Sequence, residues 1–508
     1  MDYVIEELKN LPEDIPAVVS DDRRLSEGCL FICCPITNYN GAASIPKAIR
    51  AGAAVIVTER GLYEEALGAS GMTEKEFLGD RPPRIHFVDD ARYAMAFIYA
   101  AWYGHPAEKM TTIGITGTKG KTTVAHMIYE ILTEAGYKTG LIGTMETIID
   151  GKHTDTIITT PEADVLQELL FRMAEAGTEI VVMEVSSQAL MTHRSQGFIF
   201  DIGVFTNIGV DHIGPEECRD FEHYISCKGR LMRQCRTGII NIDDPHAGDL
   251  LEGHTCEVKT YGIASGQAGL LAANISCLFV DRVPGVEFDA EESDEEGTSL
   301  RSGSLHIRMP MPGMYSVSNA LAAICTAKQL SVSDAAIVNA LERIYVNGRM
   351  NVVRPEQPED RSFPAAIVDF AHNGISVREL LKTLRIYYSG KIIIVIGSLG
   401  ASVRRAPIGE ACGEFADLTV ISVLDWKTED HEEIIRGIES GVLKKSGEYV
   451  IIPDRRQAIQ YAISVAGPDD LVVAAGRGSI NNKRIGDRII PVPDDRELLL
   501  EAFRSCGR

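Results

Sequence analysis

Between a strand-like run, Thr111–Thr116, and an amphipathic stretch that begins at Lys121, the chain reads Gly117-Thr118-Lys119-Gly120-Lys121-Thr122-Thr123. Glycines in such a turn let successive backbone N–H groups and the start of the next helix converge on one anion, which suits the phosphate oxygens of a nucleotide. Lys121 is placed to reach the β- and γ-phosphates and Thr122 to ligate Mg²⁺. Gly117, Thr118, Lys119, Gly120 and Thr123 complete the cradle. The spacing departs from the strict phosphate-loop pattern, because Ile115 stands where the first glycine belongs and Gly114 comes one residue early. The bland alternative is a glycine-containing turn with a surface lysine. It fits less well, since a strand pattern precedes the loop and a helix pattern follows it.

Glu184 closes the next buried-strand pattern, Ile180–Met183, and Ser186-Ser187 follow it. Open α/β sheets bind ligands beyond the carboxyl ends of their strands, so an acid at that end can hold Mg²⁺. Its alternative is an incidental glutamate near a helix N-cap. Thr206-Asn207 and Asp211-His212 end the following strand in the same manner. A lone histidine is more often structural, and His212 gains weight only from its company. Lys228 lies on an amphipathic stretch, Tyr224 to Met232, and spacing alone makes it a solvated surface residue.

The elements that must position these groups alternate. Val124, Met127, Ile128, Ile131 and Leu132 fall on one face of a helix that ends at Gly136. Short apolar runs at Ile180–Met183, Ile202–Thr206 and Gly238–Ile242 alternate with helical patterns, which predicts a parallel sheet covered on both faces. Residues 264–310 turn to strands and polar loops, an antiparallel appendage. Before this unit, Leu30–Cys33 and Ala54–Val57 belong to a smaller α/β region that ends in a linker at Ala100–Met110. After it, Ala366–Asp369, Ile392–Ile396, Leu418–Val423 and Leu471–Ala475 repeat the α/β rhythm in a second doubly wound domain. The boundaries fall near residues 1–108, 109–345 and 346–508, within the range that 508 residues imply.

Composition narrows the function classes. The net charge of −22 argues against nucleic acid or an anionic membrane as the main partner, so an anionic substrate needs a local basic pocket. Asp289, Glu291, Glu292, Asp294, Glu295 and Glu296 form one acidic run, most simply a solvated loop. Met1 to Leu11 lacks the basic start and apolar core of a signal peptide, and no stretch is long enough to span a bilayer. The cysteines are scattered without CxxC pairs, which free thiols in a reducing compartment, the cytoplasm, explain better than a disulfide framework or a zinc site. A monomer is expected.

TGTKGKTT (116–123), TTP (159–161), EVSSQAL (184–190), FTNIGVDH (205–212), CK (227–228) and NIDD (241–244) together resemble the central domain of the Mur ligases of bacterial cell-wall synthesis. The resemblance is nearest to the UDP-N-acetylmuramoyl-tripeptide synthetase branch. GRM (348–350), DFAH (369–372), DRRQAI (454–459) and DDRE (494–497) resemble that branch's C-terminal domain. SDDRR (20–24) and KAIRAGAAVIV (47–57) resemble its UDP-binding domain.

The resemblance implies a three-domain α/β architecture, with a central phosphate-loop domain built on a mostly parallel sheet and a Rossmann-like C-terminal domain. It implies ATP-dependent amide-bond formation that adds an amino acid to UDP-N-acetylmuramoyl-L-alanyl-D-glutamate through an acyl phosphate, in peptidoglycan precursor synthesis. Lys121, Glu184, His212 and Lys228 would form the catalytic centre. Thr122 and Glu184 would serve one Mg²⁺, and His212 with a carbamylated Lys228 a second. Asn319, Arg349, Asp369 and His372 would meet ATP. Asp22, Arg23, Thr159, Thr160, Ser186 and Arg194 would contact the UDP-muramoyl dipeptide, and Asp425 and Lys427 the free amino acid.

The chain also departs from the family pattern. The UDP-binding DSR reads Asp21-Asp22-Arg23, and the Asp-Gly-His segment reads Asn40-Gly41-Ala42. The DNPR clamp reads Leu424-Asp425-Trp426-Lys427, and GKGHE reads Gly476-Arg477-Gly478-Ser479-Ile480. The ATP-and-metal centre is kept while both substrate ends have drifted. This leaves two alternatives: a ligase of the same fold acting on another carboxylate, of folylpolyglutamate, cyanophycin or polyglutamate type, or a nucleotide-binding paralogue that does not ligate.

Overall fold

Apolar runs flanked by amphipathic stretches become strands covered by helices throughout the chain. The structure, a computed structural model, describes residues 15–35, 41–156, 158–209, 214, 217–293, 300–355, 362–398, 402–424, 430–485 and 488–506, with backbone alone at 300–303, 483–485 and 488–489. Two compact units result. One comprises Met1–Leu271, Glu292–Arg301 and Ser318–Ile337, and the other Ala272–Glu291, Ser302–Val317 and Val338–Arg508.

The first unit begins with four parallel strands paired in sequence order: β1 (Val18–Val19), β2 (Leu30–Cys33), β3 (Val55–Glu59) and β4 (Arg84–Val88). Every residue of β2 is buried, and successive side chains feed two separate cores on opposite faces. A larger sheet follows, built from β5 (Thr111–Thr116), β6 (Thr139–Ile142), β7 (Glu146–Ile149), β8 (Lys152–Asp155), β9 (Ile180–Glu184), β10 (Phe200–Phe205), β11 (Cys235–Asn241) and β12 (Glu257–Gly262). Their order is β12-β11-β10-β5-β9-β6-β7-β8, parallel from β12 to β6, with β7 and β8 added antiparallel.

The helix Lys121–Glu134 buries the expected face completely. Val124, Met127, Ile128, Ile131 and Leu132 are each fully inaccessible, which contributes about 1.5–3 kcal/mol per large side chain. Gly136, with φ 91°, turns the chain out of the helix.

The greater parts of β13 (Leu270–Val280), β14 (Val283–Ser293) and β15 (Leu300–Met309) lie side by side in the second unit, while the first two residues of β13, the last two of β14 and the first two of β15 belong to the first. Asp281 and Arg282, with φ 51° and 64°, form the two-residue turn between β13 and β14, as a twisted hairpin requires. The acidic run expected to be a solvated loop lies partly in this hairpin. Asp289, Glu291 and Glu292 are strand residues, and the buried Phe288 and Ala290 alternate with Asp289 and Glu291. Asp294, Glu295 and Glu296 lie outside the described residues.

The rest of this unit is a six-stranded sheet of order β16-β17-β21-β18-β19-β20. Its strands are β16 (Asn351–Val353), β17 (Ala365–Asp369), β18 (Ile392–Ile396), β19 (Leu418–Ile421), β20 (Tyr449–Ile451) and β21 (Leu471–Ala475). All neighbours are parallel except β16 and β17, and a separate core covers each face. Arg455 and Asp495 join two helices beneath this sheet. The guanidinium grips the carboxylate through Nε (3.0 Å) and Nη2 (2.6 Å), while Nη1 and Nη2 also reach Ser422 Oγ and Ala475 O, each at 2.9 Å.

Candidate active site

Parallel pairing brings three strand ends to one edge of the central sheet. Phe205 of β10 is level with Thr116 of β5, and Glu184 of β9 is level with Ile115. The loop 117–120 leaves β5 between them and runs straight into the helix Lys121–Glu134.

The segment after β10 holds this loop. Asn207 O accepts from Thr118 N at 2.8 Å, and its side-chain amide binds Lys119 N and O at 3.0 Å each. Thr206 Oγ1 donates to Lys119 O at 2.6 Å, and Gly209 N donates to Thr118 Oγ1 at 3.0 Å. A methyl group at Gly117 would overlap Thr206 Oγ1, and one at Gly120 would overlap Asn319 Oδ1. Both positions therefore require glycine, and Asn319 packs on the loop. Lys121 Nζ curls back onto Gly117 O (2.9 Å) and Thr118 O (3.3 Å). Thr123 is buried in the first turn.

Glu184 is wholly buried at the end of β9. Its carboxylate accepts from Thr122 Oγ1 at 3.0 Å, from Thr144 N at 2.7 Å and from Thr144 Oγ1 at 3.0 Å. Two oxygens on adjacent corners of a Mg²⁺ octahedron stand about 2.9 Å apart. The Thr122–Glu184 spacing matches that, and both are the hard oxygen donors Mg²⁺ takes.

Lys228 overturns the reading from spacing. It is 1% exposed, because Tyr224 one turn earlier and the neighbouring Cys227 face the core and carry it inward. Its Nζ donates to Gly117 O at 2.8 Å and lies 4.6 Å from the Tyr224 ring centroid. Tyr224 OH in turn is 3.1 Å from Thr118 Oγ1. Lys121, Thr122, Glu184 and Lys228 thus surround one loop. His212 lies outside the described residues.

Beyond Glu184, Thr160 Oγ1 bridges Glu184 O (2.9 Å) and Ser186 N (3.0 Å). Arg194, 5% exposed, donates to Thr160 O at 3.1 Å and pairs with Glu162 at 2.7 Å. Thr159 Oγ1 is 3.0 Å from Thr144 Oγ1. These expected substrate residues form one connected strip. At the amino-terminal sheet, the additional carboxylate Asp22 is taken up locally by Ser44 Oγ and Lys47 Nζ, each at 2.6 Å, and Arg23 turns to Asp21.

In the second unit, Arg349, Asp369 and His372 gather around Phe370. The guanidinium lies 4.6 Å from the Phe370 ring centroid, and the imidazole meets that ring edge-on at 4.8 Å. Asp369 accepts from Met350 N and Ala371 N at 2.9 and 2.8 Å. Burial raises its pKa above the ordinary carboxylate range, against the pull of Arg349. Asp425 and Lys427 lie outside the described residues.

Sequence reasoning missed Thr144 and Tyr224 as builders of the site. Thr144 follows a strand that is parallel to β9, and Tyr224 stands one turn before Lys228 on the same helix. It also missed a chain running from Thr122 O to His126 Nδ1 (2.8 Å), His126 Nε2 to Glu146 (3.1 Å) and Glu146 to His153 (2.6 Å). Burial alone would lower the His126 pKa; the hydrogen bonds to Glu146 and Thr122 O raise it above the usual imidazole value instead.

Residues 115–327 match the family model of the Mur ligase middle domain, and residues 348–478 that of the Mur ligase glutamate ligase domain. A curated relative, UDP-N-acetylmuramoyl-L-alanyl-D-glutamate--2,6-diaminopimelate ligase of Caldanaerobacter subterraneus subsp. tengcongensis, is 36% identical over 99% of this chain and 98% of its own length. Among solved structures, a UDP-N-acetylmuramoyl-L-alanyl-D-glutamate--2,6-diaminopimelate ligase superposes with a TM-score of 0.65 at 23% identity, covering 99% of both chains. The MurF ligase from Thermotoga maritima, in complex with ADP, gives 0.58 at 17% identity over 96% of this chain and 97% of that one.

Proposed function

The chain belongs to the Mur ligase family, and from that premise we propose that it is an ATP-dependent ligase that adds an amino acid to UDP-N-acetylmuramoyl-L-alanyl-D-glutamate in peptidoglycan precursor synthesis. The observation that carries the reading is the convergence of Lys121, Thr122, Glu184 and Lys228 on one phosphate loop. The substrate carboxylate takes the γ-phosphoryl group of ATP and releases ADP. The amine of the amino acid then attacks the acyl phosphate, loses a proton, and phosphate leaves as the amide forms.

This chain's part is positioning and charge neutralisation. The loop amides and Lys121 hold the phosphates, Thr122 and Glu184 hold a Mg²⁺, and Thr159, Thr160, Ser186 and Arg194 present the dipeptide end. Mg²⁺ supplies neutralisation of the phosphate charge when bound. Arg349, Asp369 and His372 serve the nucleotide from the C-terminal domain, with domain boundaries near 108/109 and 345/346. The cytoplasm is the compartment we assign. Among the described residues no helix is long and apolar enough to cross a membrane, and no cysteine is paired in a disulfide.

Incubation with ATP, Mg²⁺, UDP-N-acetylmuramoyl-L-alanyl-D-glutamate and mixed amino acids should release ADP in an amino-acid-dependent manner. Release with another carboxylate alone would move the substrate assignment, and no release with any would leave a binding protein.

Lys228 is proposed to work as a carbamate beside a second Mg²⁺ with His212. An ammonium next to metal ions is repelled, whereas a carbamate offers anionic oxygens. Lys228→Ala is expected to lose ligation and to recover part of it with a small added carboxylate in the vacated space. Full activity of the unrescued variant would refute the role.

The incoming amino acid is expected to be selected differently from the usual clamp. The curated relative is named for 2,6-diaminopimelate, but Lys427 stands where an arginine grips the distal carboxylate, and Ile480 where a glutamate meets the distal ammonium. A lysine ammonium does not reproduce a planar fork of donors. Arg477, a candidate replacement, turns its Nε onto Ile480 O at 2.9 Å. In equimolar competition among meso-diaminopimelate, L-lysine, L-ornithine and small neutral amino acids, diaminopimelate should not dominate. Its dominance, unaltered in Lys427→Ala, would show this reading of the loop to be wrong.

A further inference from the structure

The helix Phe221–Gly229 carries, next to Lys228, a group of side chains that ligation does not use. His223 and Cys227 are one turn apart on the same face, and Cys218 precedes the helix. One ligand atom from each of the three lies within 4.8 Å of the others, and His223 Nε2 is 3.4 Å from Cys227 Sγ. In a tetrahedral site with bonds of about 2.3 Å to sulfur and about 2.0–2.1 Å to nitrogen, neighbouring S and N atoms stand about 3.5 Å apart. The pair is already at that spacing. Cys218 and Cys227 are 2% and 0% exposed and His223 is half-buried, so the group is enclosed by protein and still reachable from one side. Two thiolates and an imidazole are a soft donor set, which favours a zinc-class cation over Mg²⁺.

We propose that Cys218, His223 and Cys227 form a binding site for one soft divalent cation of the zinc class, separate from the hard oxygen donors of the phosphate loop, with its fourth position left to water. Arg219 N donates to His223 Nδ1 at 3.3 Å, which places the imidazole proton on Nε2, facing Cys227 Sγ, when no cation is bound. Binding expels the two thiol protons. It also shifts the imidazole proton to Nδ1, at the cost of the Arg219 contact, which is long for a hydrogen bond. Two thiolates and a dication leave the enclosed group neutral. The site does not depend on the ligase reading, since none of its three ligands serves ATP or the dipeptide.

The test uses the full chain, reduced and stripped of metal, titrated with Co²⁺ in a large excess of Mg²⁺. One Co²⁺ per chain should bind with sulfur-to-cobalt charge-transfer absorption, and one equivalent of Zn²⁺ should bleach it. Cys218→Ser and Cys227→Ser should each weaken binding by roughly 10²-fold or more, beyond what the loss of an outer partner costs. Cys277→Ser, at an exposed thiol, should leave it intact. Circular dichroism identifies folded variants, and His223→Ala at the half-buried position replaces any buried variant that fails to fold. Absence of the charge-transfer band, its survival in both cysteine variants, or its loss to Mg²⁺ would overturn the proposal.

Discussion

Lys121→Ala is expected to lower ligation-coupled ATP turnover on the order of 10²-fold or more, while the thermal unfolding midpoint stays near that of the parent. The loss follows from removing a charge-assisted contact in a site whose other parts are already in place, where reorganisation offers no compensation. The fold should tolerate it, because the loop is independently anchored by Thr206, Asn207 and Gly209. Steady-state ADP release and a melting curve on the same preparation check both halves. Near-normal ligation would remove the phosphate-loop assignment, and a collapsed melting curve would make Lys121 structural.

Asp495→Ala should produce the largest stability loss. It strands the Arg455 guanidinium, 5% exposed, beneath the sheet of the second unit without its carboxylate. Removing one partner of a buried ion pair costs about 3–5 kcal/mol. For a unit of this size that corresponds to a fall of roughly 10 °C in its unfolding midpoint. Arg455→Met combined with Asp495→Leu should recover most of the loss, since an apolar pair of similar volume leaves no buried charge. Calorimetry of the parent, single and double variants decides the matter. A single variant within 1 °C of the parent, or a double variant worse than the single, would show that the pair does not carry the stability assigned to it.

Much of the architecture was legible because periodicity reports burial. The apolar face from Val124 to Leu132 and the strands ending at Thr116, Glu184 and Ala475 fall where the pattern put them, and the polar residues Thr116 and Glu184 close two of them beside the glycine loop. Lys228 was illegible to spacing, since a helical pattern gives a face and not what packs against it. Tertiary contact with Gly117, 111 residues away, decides that the lysine is inside. Thr144 escaped for a related reason. Its partner Glu184 is 40 residues away, and only the parallel pairing of β6 with β9 brings them together. Strand residues among the acids 289–292 were masked by charge, because one face of a hairpin carries Asp289 and Glu291 while Phe288 and Ala290 fill the other.

The anchoring of the phosphate loop has a consequence for how the chain comes off the ribosome. Asn207 is 88 residues downstream of Lys119, and Lys228 is 111 downstream of Gly117. A nascent chain that has exposed the glycine loop and its helix therefore still lacks every side chain that shapes the loop from below. Such long-range closures come late, because the entropy of the intervening segment must be lost before any contact repays it. The surroundings of the loop are complete only when the chain through Asn319, which packs on Gly120, has emerged.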